Sequence, residues 1–127
     1  MYNANQKIQK FTDLNAWREG HKLVLMIYQA TKLFPKNEMF GLTNQIRRAA
    51  VSITSNIAEG FNRQSNKEKI NFYYTSVAST AEVQNQILIA KDIGYTDKDK
   101  FTEIANQSVT VHKLINGLIK YLKTHNT

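Results

Sequence analysis

Apolar residues recur every three or four positions through four stretches of the chain, and short polar breaks separate the stretches. The first runs from about Leu14 to Phe34 and places Leu14, Trp17, His21, Val24, Leu25 and Tyr28 on one helical face. Thr12 or Asp13 is expected to cap it by accepting bonds from first-turn amides. Pro35 disfavours helical geometry at Phe34 and closes it. The second, about Phe40 to Glu59, carries Leu42, Ile46, Ala49, Ala50, Ile53 and Ile57 as one narrow apolar stripe. Gly60 is expected at its C-terminal cap, because glycine enters the left-handed region without a Cβ clash.

The third stretch opens on Ser65-Asn66-Lys67-Glu68, a capping-box pattern, and runs to about Ile93 before Gly94. Ile70, Tyr73 or Tyr74, Val77, Ala81, Leu88 and Ile89 are its expected core. Thr96 is expected to cap the fourth, with Phe101, Ile104, Val111, Leu114, Leu118 and Leu122 along one side. Gly20 and Gly117 fall inside helices, either at close helix contacts or as tolerated defects. Long helices with short connections pack as antiparallel neighbours. The pattern predicts an all-α, up-down-up-down four-helix bundle forming one domain over residues 1–127, with 1–11 and 124–127 flexible.

The second helix has more than an apolar stripe. With Ile46 at zero on a helical wheel, Ala49, Ala50, Ile53 and Ile57 lie within about 60°. Arg48, Ser52, Ser55 and Glu59 gather on the far side, and Asn56 lies between. Solvated faces usually carry Lys, Glu and Gln, whereas this one is made of short side chains with Arg and Glu. Short side chains let another helix approach, so a second packing face against a neighbouring subunit is expected. Arg47 or Arg48 is expected to meet Glu59 across it.

The segment "FGLTNQIRRAAVSITSNIAEGFNRQSNKE", with "FTDLNAW", "IYQATKLFPKNEMFGL" and "NFYYTSVASTAEVQNQILIAKDIGY" around it, resembles the bacterial four-helix bundle protein family. That family is also called the 23S rRNA intervening-sequence protein family. The resemblance covers nearly the whole chain, with Arg47, Arg48, Ser52, Asn56, Ala58, Glu59, Gly60, Arg63 and Glu82 as matching motif residues. "ASTAEVQNQ" replaces a more usual pattern with glycine near Ser79. The resemblance implies a homopentameric ring with no enzymatic activity. It is similar to the accessory protein of diversity-generating retroelements, a basic pentamer that associates with a reverse transcriptase and nucleic acid.

Charge bears on the partner. Lys plus Arg outnumber Asp plus Glu by 17 to 10, for a net +7. Such a balance suits a polyanion, and nucleic acid is the common case. In an up-down bundle Arg18, Lys22, Arg63, Lys67, Lys69, Lys120 and Lys123 are expected at one end, against few acids. A ring would merge five such ends into a basic rim that holds RNA or DNA phosphates with little sequence preference. The alternative is a scaffold for an acidic protein, and a nucleic-acid-processing protein is a further expected partner.

Other chemistry is not indicated. No cysteine is present, which excludes disulfides, Cys-ligated zinc and a thiol nucleophile. His21, His112 and His125 read as packed or surface residues, and no metal or cofactor is expected. Glu59 and Glu82 as a catalytic pair would need a cleft that the pattern does not show. Hydrogen bonding to Arg or Asn is the stronger role for them. The N-terminus lacks the apolar core of a signal peptide, so a soluble cytoplasmic protein with no membrane partner is expected.

Overall fold

A computed structural model describes residues 7–125. Four helices follow one another: α1 (Asn15–Thr31), α2 (Leu42–Phe61), α3 (Asn66–Asp92) and α4 (Lys98–Thr124). Short 3-10 turns at Phe11–Asp13 and Lys36–Glu38 precede α1 and α2. Each helix packs antiparallel against its sequence neighbour, and α1 closes the square against α4. No strand occurs among the described residues, so the fold is all-α. No helix among them is long and apolar enough to cross a membrane. Residues 1–6 and 126–127 lie outside the described residues. Residues 7–13 lie along the bundle, with Ile8 against the core and Phe11 edge-on to Trp17 at 5.5 Å.

The core is rich in isoleucine: Ile27, Ile46, Ile53, Ile57, Ile87, Ile104 and Ile115 are fully buried, with Leu23, Val83 and Val111. The α2 stripe lies where the pattern places it, with Leu42 only partly covered. Two other faces differ. Helix α1 buries Ala16, Gly20, Leu23, Ile27, Ala30 and Thr31, while Leu25 and Tyr28 face out. Small residues let α1 sit down on α2, and Trp17 and His21 stack on each other at 4.7 Å beside that contact. Helix α3 buries Tyr73, Ser76, Ser79, Thr80, Val83, Ile87 and Ala90 and turns Leu88 and Ile89 outward. Apolarity alone selects the expected core of α3, whereas the closeness of α2 selects by size. In α4, Ser108, Ile115 and Ile119 join Ile104 and Val111 inside, while Phe101, Leu114, Leu118 and Leu122 pack at the margin.

Three caps also differ. Leu14 holds the N-cap of α1 with no side-chain bond. Asp13 turns back instead and accepts the amides of Gln9 at 3.0 Å and Lys10 at 3.2 Å, which hold its carboxyl below the usual range. Asp97 rather than Thr96 caps α4, accepting the Lys100 amide at 2.7 Å. Gly60 lies inside α2, which runs to Phe61 with Asn62 as its C-cap, because its missing Cβ is needed for packing. Ser65 caps α3 as its pattern indicates, accepting the Glu68 amide at 3.2 Å, and Gly94 ends that helix at φ +86°.

A polar clamp joins the two connections at the other end. Glu38 accepts the Leu42 amide at 3.1 Å and the Tyr95 hydroxyl at 2.7 Å. The Tyr95 ring in turn lies 5.4 Å from Phe34. The Tyr95 hydroxyl, then the Leu42 amide, hold the Glu38 carboxyl below its ordinary value.

The two uncertain glycines separate cleanly, and Gly60 joins them. A Cβ at Gly60 would meet Tyr73 Cε1 at 2.8 Å and Phe72 Cβ at 2.9 Å, and one at Gly20 would meet Thr54 Cγ2 at 3.1 Å, whereas one at Gly117 meets nothing within 4 Å. Gly60→Ala is expected to destabilise by about 1–3 kcal/mol through overpacking. Gly117→Ala is expected to stabilise by up to about 1 kcal/mol through helix propensity. Urea denaturation of both variants checks the opposite signs. A carboxyl depressed in the folded state stabilises above its unfolded value and loses that contribution as pH falls through the lower folded value. Glu38→Gln is therefore expected to lower Tm at about pH 7 and to lose less than wild type between about pH 5 and pH 3. Thermal denaturation across that range measures it.

Candidate nucleic-acid interface

The C-terminus of α2, the start of α3 and the end of α4 meet at one end. Asn66 ties them: its Nδ2 donates to the carbonyls of Leu122 at 3.4 Å and His125 at 2.7 Å. The local cations are Arg63, Lys67, Lys69, Lys120 and Lys123; against Glu59 and Glu68 they leave +3. Aromatic rings lie between them. Arg63 sits 4.6 Å over Phe72, Lys123 5.3 Å over Tyr74 and Lys69 5.3 Å over Phe61. Tyr121 stacks on His125 at 3.9 Å, and Tyr74 and Tyr121 are both exposed.

These cations are not equivalent. Lys69 turns inward and donates to the Phe61 carbonyl, closing the end of α2, and burial pulls its amine below the usual value. Arg63, just past the end of α2, pairs with Glu59 at 3.1 Å. The pair is exposed and contributes at most about 1 kcal/mol, so Arg63 remains available to a phosphate. Lys67, Lys120 and Lys123 are exposed and make no ion pair among the described residues.

Arg18 and Lys22 lie apart from this group. Arg18 Nε donates to the Thr12 carbonyl at 3.0 Å. The neighbouring Glu19 accepts Gln107 Nε2 through its carbonyl and its carboxylate, both at 2.9 Å. Gln107 precedes Lys120 by 13 positions, about 20 Å of helix axis. Because α1 is ten residues shorter than α3 and α4, its start falls well short of the basic end.

The small polar residues of α2 divide between two surroundings. Ser52 faces α3 of the same chain and accepts Ser79 Oγ at 2.8 Å. Asn56 Nδ2 bonds the Ser52 carbonyl at 2.9 Å and its hydroxyl at 3.1 Å. Ser76, fully buried, donates to the Ile53 carbonyl at 2.8 Å. Arg48, Ser55 and Glu59 face out. Arg47 is partly buried; its Nε donates to Thr31 Oγ1 at 2.8 Å and its guanidinium lies 4.7 Å over Tyr28. Arg48 and Glu59 stand 11 positions apart, about 17 Å along α2. Within one chain they do not pair. Glu82 shares a shallow groove of about 320 Å³ with Arg48, Gln45 and Gln86, while Glu59 lies beside Gly60 at the level of Phe72 and Tyr73. The two carboxylates therefore do not face each other.

Charge patterning overlooks the aromatics Phe72, Tyr74 and Tyr121 as site residues. Two signals in the sequence point to them: the consecutive Phe72-Tyr73-Tyr74, which cannot all face one core, and the i, i+4 pair Tyr121 and His125. Among the described residues no group of three His, Asp or Glu side chains is placed to hold a metal.

This arrangement has relatives. The model of the family described as "23S rRNA-intervening sequence protein" matches residues 12–117. The chain belongs to that family. No curated protein matches it. A solved structure from Bacteroides thetaiotaomicron, of a protein of unknown function from the S23 ribosomal protein family, is similar at a TM-score of 0.76 and 24% identity. The match covers 83% of this chain and 98% of that one, and it shows the shared bundle fold. Among the residues matched, Ser52 and Gly60 build the contact between α2 and α3 and Asn56 bonds Ser52 within α2, whereas Arg48 and Glu59 are exposed.

Proposed function

We propose that this protein is a non-enzymatic bundle that associates with copies of itself and binds nucleic acid, RNA foremost, through its cation–aromatic end. The observation that carries the reading is the interleaving of Arg63, Lys67, Lys120 and Lys123 with exposed Tyr74 and Tyr121 at one end of the molecule. Lysines and arginines neutralise phosphates and release counterions. Exposed rings supply stacking surfaces that every base tolerates, so binding is sequence-poor and favours single strands.

The opposite end supports self-association. Leu33 and Phe40 are 83% and 95% exposed there, with Ile93 beside the α3–α4 connection and Ile89 one turn below. Exposed apolar groups gathered in this way mark interaction surfaces. The homopentamer implied by the family resemblance, joined near these residues, leaves the five basic ends together on one rim.

A triple reversal, Arg63→Glu with Lys67→Glu and Lys123→Glu, tests the reading. Lys69 is left alone because it serves the fold. The slope of log K against log salt for a single-stranded RNA is expected to fall in magnitude by about 2, at about 0.7 for each phosphate that is no longer neutralised. Mass by light scattering should stay at that of the wild-type oligomer. Reversal of Arg18 and Lys22 is expected to have the smaller effect. Normal RNA binding by the triple variant, or capture of an acidic protein with no affinity for RNA at low salt, contradicts the reading.

A further inference from the structure

Between α1 and α2 runs an open groove of about 510 Å³, lined by Tyr28, Asn44, Arg47, Arg48, Val51 and Ser55 among others. No carboxylate lines it. Neither arginine makes an ion pair among the described residues, although the chain elsewhere pairs Arg63, Lys91 and Lys100. Arg47 is held in place by the Thr31 bond and the Tyr28 ring, so one guanidinium is preset on the groove wall. Arg48 is exposed and lines the same groove. Glu82 approaches Arg48 only from the second groove, across α2, without forming an ion pair.

We infer that this groove binds a phosphate monoester between Arg47 and Arg48, with the group it is attached to lying along Tyr28 and Val51. The charge argument selects the ligand. Two guanidiniums without an internal counterion match a dianion, and a monoester carries nearly two negative charges near neutral pH whereas a diester carries one. Guanidinium groups, rather than ammonium groups, give the paired parallel bonds that a phosphate accepts. Asn44, Ser52 and Ser55 supply further donors around the same space. The groove is far larger than a phosphate, so the ester's organic group has room. Two sources present this chemistry, a free nucleotide and the 5′-phosphate at the end of an RNA strand. The site is separate from the cation–aromatic end and does not depend on it.

Calorimetric titration of the full chain with adenosine 5′-monophosphate tests the first source. Anisotropy titration with one oligoribonucleotide, carrying either a 5′-phosphate or a 5′-hydroxyl, tests the second. Wild type is expected to bind the nucleotide, or to prefer the phosphorylated strand, and adenosine without phosphate should not bind. Arg48→Ala should weaken that binding, or shrink that preference, by about tenfold or more, as loss of one partner of a charged pair does. Arg48→Lys should retain part of it. The reversal of Arg63, Lys67 and Lys123 should leave nucleotide affinity unchanged while weakening both strands alike, so failure of one site is read apart from failure of the other. A wild type that neither binds the nucleotide nor prefers the phosphorylated strand overturns the inference. Wild-type affinity in Arg48→Ala overturns it as well.

Discussion

The close approach of α2 to α3 is the constraint on which the rest of the molecule depends. At Gly60 the helices are so near that one added carbon would lie within 2.9 Å of Phe72 and Tyr73. Farther along, Ser76 and Ser79 replace the leucines and isoleucines that a wider gap would take. Burying hydroxyls is costly unless each finds a partner. Here Ser76 donates to the Ile53 carbonyl, Thr80 to the Ser76 carbonyl and Ser79 to Ser52. The contact is therefore both tight and specific in register, since sliding α3 by one turn would part Ser76 from the Ile53 carbonyl and Ser79 from Ser52.

That contact sets where the charged groups go. It brings the α2–α3 turn with Arg63, and the first turn of α3 with Lys67, onto the end of α4 through Asn66. It also takes up one flank of α2, while α1 takes another through Gly20 and the bond from Arg47 to Thr31. Only the strip carrying Arg48, Val51 and Ser55 is left facing out. The two ends of the bundle come to differ, cationic and aromatic at one, apolar around Leu33 and Phe40 at the other. On the function we propose, the apolar end meets copies of the chain and the cationic end a polyanion.

Helix number, order and the α2 stripe were legible because long amphipathic segments with clear breaks carry a strong periodic signal. The phase of α1 and α3 was not. Periodicity ranks residues by apolarity, and in these helices the buried positions are chosen by size: Ala16 and Gly20 in α1, Ser76 and Ser79 in α3. The same cause explains Gly60, which its position suggests as a cap yet its neighbour requires inside the helix. At the candidate site, charge pointed to Arg63, Lys67, Lys120 and Lys123. What it missed was the inward turn of Lys69, the axial offset of Arg18 and Lys22, and the aromatic rings. Each of these depends on helix lengths and stagger, which a one-dimensional pattern does not carry.

Amide hydrogen exchange under native conditions tests the central contact most directly, since protection reports which segments open last. The account predicts the slowest exchange in α2 from 46 to 60 and in α3 from 73 to 90, with α1 and the last turns of α4 opening earlier. Slowest exchange in α1 and α4, with the amides around Ser52, Gly60 and Ser76 opening first, would contradict it.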